Sequence, residues 1–135
     1  MKNAIVTASD GRNNSRILVV DDDESVTSLV SMGLRSKGCV VRTENEPYAA
    51  FEAAKAFNPD LILLDVVMPR LDGGDLAQRL RSHPETAGIP VIFLTGMIRR
   101  DEVLEAGGVI AGDEFIAKPA NIEEIAARIL RQLKQ

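Results

Sequence analysis

Short, unbroken apolar runs separated by stretches of helical periodicity dominate this chain from residue 16 onward. The runs fall at 17–20, 39–41, 61–64, 91–94 and 115–117. Most are continuous rather than alternating, the pattern of strands covered on both faces, as in a parallel sheet. Between them lie apolar stripes at helical spacing: Val26, Leu29, Val30 and Leu34; Ala50, Ala53, Ala54 and Phe57; Leu76 and Leu80; and Ile122, Ile125, Ala126, Ile129, Leu130 and Leu133. Local signals agree. Gly38 suits the end of the first helix. Asn45 is expected to cap the second, with Pro47 in its first turn, and Asn121 the last, with Glu123 and Glu124 near its positive end. A fourth helix is expected within 97–112, a segment that holds Gly107, Gly108 and Gly112 and shows little periodicity. Strands alternating with helices predict five βα units and a parallel sheet with helices on both faces. Residues 1–15 are mostly small and polar and read as a flexible N-terminal tail, leaving 16–135 as one domain.

Composition narrows the class. The chain has 135 residues, with 45% hydrophobic and 27% charged, an ordinary globular balance for one domain. A net charge of −4 gives no reason to expect nucleic acid or an anionic membrane as partner. Cys39 is the only cysteine, which rules out an internal disulfide and points to a reducing, cytoplasmic setting. No apolar run approaches a membrane span, and no signal peptide is legible.

Open α/β sheets bind ligands at the carboxyl ends of their strands. Asp21, Asp22 and Asp23 follow the first run, Asp65 the third, Thr95 the fourth and Lys118 the fifth, whereas the second leads to Arg42, Thr43 and Glu44. Crowded carboxylates repel one another, and a hard cation with oxygen ligands such as Mg²⁺ relieves the repulsion. Asp65 can then act as a nucleophile toward phosphorus. Thr95 can hydrogen-bond a phosphoryl oxygen and Lys118 can neutralise another. Each residue has a plainer reading by itself: Asp23 reads as a helix cap, and a lone threonine or lysine at a strand end is usually structural. Their joint occurrence, in order and at matching strand ends, favours phosphoryl chemistry.

These stretches resemble the receiver domain of two-component response regulators. The resemblance rests on Ile17-Leu18-Val19-Val20-Asp21-Asp22-Asp23-Glu24, Leu61-Ile62-Leu63-Leu64-Asp65-Val66-Val67-Met68-Pro69, Leu71-Asp72-Gly73-Gly74, Val91-Ile92-Phe93-Leu94-Thr95-Gly96 and Phe115-Ile116-Ala117-Lys118-Pro119. It implies a flavodoxin-like (βα)5 three-layer sandwich with strand order 2-1-3-4-5. It implies Asp65 as phosphoryl acceptor, and Mg²⁺ held by Asp22, Asp65 and the backbone carbonyl of Val67, with Asp21 contacting the ion largely through water. Thr95 and Lys118 would bind the phosphoryl group, Thr95 and Phe115 would form the switch, and the Lys118–Pro119 bond would be cis. The implied partners are a sensor histidine kinase or histidine phosphotransferase and a downstream protein at the face of the fourth helix, fifth strand and fifth helix, with the chain a monomer or weak dimer.

Two departures stand out. The stretch 105–114 differs from the family's usual approach to the fifth strand, which bears on the fourth helix. Val67 and Met97, two places after Asp65 and Thr95, are apolar where the family's water approaches the acyl phosphate, so slow self-dephosphorylation is expected. The chain ends soon after the last stripe, so the expectation is a receiver without its own output domain, not an enzyme toward external substrates. The competing reading is a Mg²⁺-dependent phosphatase with an aspartate nucleophile. Such enzymes usually place a second aspartate two residues on, and here that position is Val67. A degenerate docking module is disfavoured by the intact acidic, hydroxyl and ammonium set. His83, the only histidine, precedes Pro84 and reads as a surface residue after a helix.

Overall fold

The computed structural model describes residues 14–65, 73–96, 109–110, 113–118 and 121–134. The strands are β1 (Arg16–Val20), β2 (Val40–Glu44), β3 (Leu61–Asp65), β4 (Val91–Thr95), β5 (Val109–Ile110) and β6 (Asp113–Ala117). The helices are α1 (Glu24–Ser36), α2 (Ala50–Phe57), α3 (Gly73–Arg81) and α4 (Ile122–Leu133), with a 3₁₀ turn at Pro47–Ala49. The sheet order is β2-β1-β3-β4-β6-β5. The five strands expected from the apolar runs are all parallel, in the expected order, with β6 as the fifth.

The addition is β5, which pairs antiparallel to β6 through Val109↔Glu114 and Ile110↔Asp113. Both residues fall in the segment expected to be helical. A β-branched pair set between Gly107-Gly108 and Gly112 favours extended pairing over helix. The remainder of that expected helix, 97–108 and 111–112, lies outside the described residues, as do Val67, Met97 and Pro119.

Alternation along continuous strands sorts the core into two layers. Ile17, Val19, Leu61, Leu63, Ile92, Leu94 and Ile116 face α1 and α4, against Val30, Leu34, Ile125 and Ile129. Leu18, Val20, Ile62, Leu64 and Phe93 face α2 and α3, against Phe51, Ala54, Leu76 and Leu80. The resulting helix–sheet–helix sandwich explains why the central strands carry no polar alternation.

Several local expectations shift. The buried face of α1 is Thr27, Val30, Ser31 and Leu34, while Leu29 is 70% exposed. The stripe is rotated so that Thr27 lies on the buried side, where its Oγ1 accepts a hydrogen bond from Asn45 Nδ2 at 2.9 Å. Asn45 does not cap α2, whose N-cap position is Ala49 and carries no side-chain cap hydrogen bond. Asp23 and Asn121 do cap α1 and α4, accepting from the Ser25 and Glu124 N–H groups. Gly38 follows α1 at φ 95°, a left-handed conformation that glycine adopts without a Cβ clash. Ser15 is buried and its carbonyl accepts the Val40 N–H at 2.7 Å, so ordered packing begins ahead of β1. His83 closes the end of α3, its Nδ1 2.8 Å from the Arg79 carbonyl and its ring 4.5 Å from that of Phe51.

Candidate functional site: an acidic rim with a lysine

Parallel register carries strand-end residues to one rim. Val20 pairs with Leu64, Asp65 with Leu94 and Thr95 with Ala117. Asp21, Asp65, Thr95 and Lys118 therefore emerge side by side although the chain separates Asp21 from Lys118 by 97 positions. Asp21, Asp65 and Thr95 are 2%, 6% and 1% exposed, while Asp22 is exposed to solvent. Carboxylate oxygens of Asp21, Asp22 and Asp65 lie within 4.8 Å of one another.

Lys118 Nζ donates to Asp21 Oδ2 at 2.9 Å and sits 3.5 Å from Asp65 Oδ1. Burial lowers the Lys118 pKa, but the hydrogen bond to Asp21 and the charges of Asp21 and Asp65 outweigh it and hold the ammonium above its ordinary 10.5. Its backbone N–H donates to the Thr95 carbonyl at 2.7 Å, which ties the lysine to the end of β4. The other Asp21 oxygen, Oδ1, accepts the Asp23 N–H at 3.0 Å. The loop that carries Asp21 is held at its backbone as well: its N–H donates to Glu44 O, and its carbonyl accepts Asn45 Nδ2 at 2.8 Å. Among the described residues, a Cβ at Gly96 would meet only Lys118 Cβ, at 3.9 Å.

Phe115, partly buried on β6, stacks on Phe93 of β4 with ring centroids 5.1 Å apart. Arg128 of α4 donates to the Phe115 carbonyl at 2.9 Å and pairs with Glu114. The last helix is thus tied directly to the strand that bears Phe115.

The rim brings together Asp21, Asp22, Asp65, Thr95 and Lys118, all singled out by strand ends, while Val67, which the resemblance added, lies outside the described residues. Asn45 was missed as a support of the site. The second apolar run stops at Val41, whereas β2 continues to Glu44 and delivers Asn45 to the same rim. Reading Arg42-Thr43-Glu44 as strand would have exposed it. The donor set is oxygen only, three carboxylates with one ammonium beside them, which suits a hard divalent cation.

The family model for the response regulator receiver domain matches residues 17–130. The chain belongs to the response-regulator receiver family. This receiver domain is 39% identical over 114 residues to the transcriptional regulatory protein RprY of Bacteroides fragilis, covering 84% of the chain and 47% of that protein. It is 35% identical over 123 residues to the alkaline phosphatase synthesis transcriptional regulatory protein PhoP of Bacillus subtilis, covering 90% of the chain and 50% of that protein. The receiver domain thus spans about half the length of the curated relatives it matches. Among solved structures, a response regulator from Desulfuromonas acetoxidans superposes with TM-score 0.75 at 33% identity, covering 89% of the receiver domain and 97% of that chain. The chemotaxis protein CheY4 of Vibrio cholerae superposes with TM-score 0.74 at 25% identity, covering 87% and 98%. No helix among the described residues is long and apolar enough to cross a membrane.

Proposed function

We propose that Asp65 is the phosphoryl acceptor of this two-component receiver and that the rim is its reaction site. The observation that carries the reading is the setting of Asp65: nearly buried, within a three-carboxylate cluster, and 3.5 Å from a lysine ammonium. An Asp65 carboxylate oxygen attacks the phosphorus of a phosphohistidine or a small acyl phosphate. A P–O bond to Asp65 forms as the bond to the leaving group breaks. Lys118 then turns from Asp21 and Asp65 toward a phosphoryl oxygen, and the Thr95 hydroxyl donates to another.

Asp22 and Asp65 would hold Mg²⁺ directly with the Val67 carbonyl. Asp21, whose two oxygens already accept from Asp23 N–H and Lys118, would reach the ion through water. Mg²⁺, when bound, supplies positive charge to offset that of the phosphoryl oxygens. Loss of the Lys118 contact and recruitment of Thr95 bias Phe115 and its strand, and Arg128 passes the change to α4. A downstream protein would read β6, α4 and the segment before β5, and the donor would be a sensor histidine kinase or histidine phosphotransferase. The reaction is confined to the protein's own phosphorylation and dephosphorylation, in a cytoplasmic setting. Val67 and Met97 cannot orient a water, so the acyl phosphate is long-lived.

Intact mass spectrometry after incubation with acetyl phosphate and Mg²⁺ tests the reading. A single phosphoryl adduct is expected on the native protein, absent from Asp65→Asn and absent with chelator. An adduct that survives in Asp65→Asn would overturn the assignment. An adduct lost within minutes of donor removal would sink the long-lived state while leaving the acceptor intact.

A further inference from the structure

Among the described residues the exposed large apolar side chains are Leu29, Met32, Val40 and Tyr48. Leu29 and Met32 are 70% and 66% exposed and stand three positions apart on one face of α1. Single apolar residues on a surface are ordinary, but a group of them beside a concave surface marks a contact site.

Both residues line a groove of about 500 Å³ between α1 and α4. Gly33 leaves its middle without a side chain on the α1 side, and Ile122 forms the wall on the α4 side. No charged residue lines it. Its polar members are already engaged: Ser36 Oγ donates to Gly33 O at 2.7 Å, and Asn121 Oδ1 accepts the Glu124 N–H at 2.8 Å. The groove therefore suits an apolar occupant that brings no polar group of its own to bury.

The chain itself supplies such a segment. The Asn14 N–H donates to Gly38 O at 3.0 Å, so the chain enters the described fold beside the end of α1, two positions beyond Ser36 of the groove. Asn14 has φ 58°, a left-handed conformation that bends the incoming chain out of the line of β1. Within residues 1–13 the branched aliphatic side chains are Ile5 and Val6, and residues 7–13 are small or polar, with Gly11 and no proline. Eight positions separate Val6 from Asn14, a reach of up to about 26 Å when extended. From Ser36 to Leu29 the helix axis advances about 10 Å over seven positions. The tether thus reaches the whole groove, and it holds the segment there at an effective concentration on the order of millimolar.

We propose that Ile5 and Val6 dock in the α1–α4 groove of their own chain and cover Leu29 and Met32. The contact is intramolecular and lies outside the acidic rim.

Methyl-labelled full chain, followed by nuclear Overhauser effects (NOEs), provides the test. Methyl–methyl NOEs are expected from Ile5 and Val6 to Met32 and Ile122, unchanged on dilution because an intramolecular contact does not depend on concentration. The double variant Ile5→Glu/Val6→Glu should lose them and shift the methyl signals of Leu29, Met32 and Ile122. Met32→Glu alters an exposed side chain and should keep the parent's melting temperature, yet also lose the NOEs to Ile122. NOEs that persist in Met32→Glu would overturn the proposal. Contacts that fade on dilution would overturn it in favour of a second copy of the chain. Groove signals indifferent to the double variant would overturn it as well and leave the face to a separate partner.

Discussion

Lys118 shows what a single residue decides here. Its ammonium neutralises Asp21, which is 2% exposed, and stands beside Asp65. Lys118→Met leaves a buried carboxylate without its cation and is expected to lower the stability of the Mg²⁺-free protein by about 1–3 kcal/mol, read by urea denaturation. Added Mg²⁺ should restore most of that loss, because a divalent cation takes over the neutralisation; a deficit that Mg²⁺ leaves untouched would assign Lys118 to packing. The folded-state pKa lies above 10.5, so the charged form contributes fully below 10.5, and the contribution fades as pH rises through the folded value. The deficit of the variant should accordingly hold steady from neutrality to pH 10.5 and shrink beyond it. At this scale the sequence was highly legible, since Asp21, Asp65, Thr95 and Lys118 each follow an apolar run. Asn45 was not, because the polar residues Arg42-Thr43-Glu44 disguise the end of an edge strand.

Helix ends and crossings decide the element scale. The Asn121 side chain accepts the Glu124 N–H at 2.8 Å, and Asn121→Ala should cost about 1 kcal/mol in thermal or chemical unfolding. Gly33 lies where α1 passes α4. A Cβ there would stand 2.2 Å from Ile122 Cγ1 and 3.0 Å from its Cβ, so rotating the isoleucine alone does not clear the space. Gly33→Ala would gain about 1 kcal/mol of helix propensity. Overpacking of about 1–3 kcal/mol opposes it, so net destabilisation is expected. A melting temperature equal to or above that of the parent would show that α4 shifts freely. A glycine inside a helical pattern signals only weakness; its close partner, Ile122, lies far along the chain and no local pattern names it. The same holds for Leu29, which periodicity places on the buried face and the fold leaves exposed, while Thr27 and Ser31 take buried positions.

At the scale of the whole molecule, three clustered carboxylates are a source of repulsion that a bound cation relieves. A ligand that binds only the folded state stabilises it, by about 2.7 kcal/mol at a hundredfold excess over Kd. Calorimetry should therefore show a higher melting temperature in Mg²⁺, reversed by chelator and much reduced in Asp22→Asn. No Mg²⁺-dependent shift in the parent would remove the metal from the reading. The sequence by itself determined the class of fold and which residues line its rim. Continuous apolar runs between helical stripes admit few arrangements other than a doubly covered parallel sheet, and in such a sheet the residue after each strand must surface on one rim. Tertiary structure alone decided which carboxylate is buried and which faces solvent, that Asn45 braces the Asp21 loop instead of starting a helix, and that Val109 and Ile110 add a reversed edge strand. The physical reason is range. Periodicity and capping are set by neighbours within a turn or two, whereas the bond of Lys118 to Asp21 and the contact of Gly33 with Ile122 are set by elements the chain brings together only on folding.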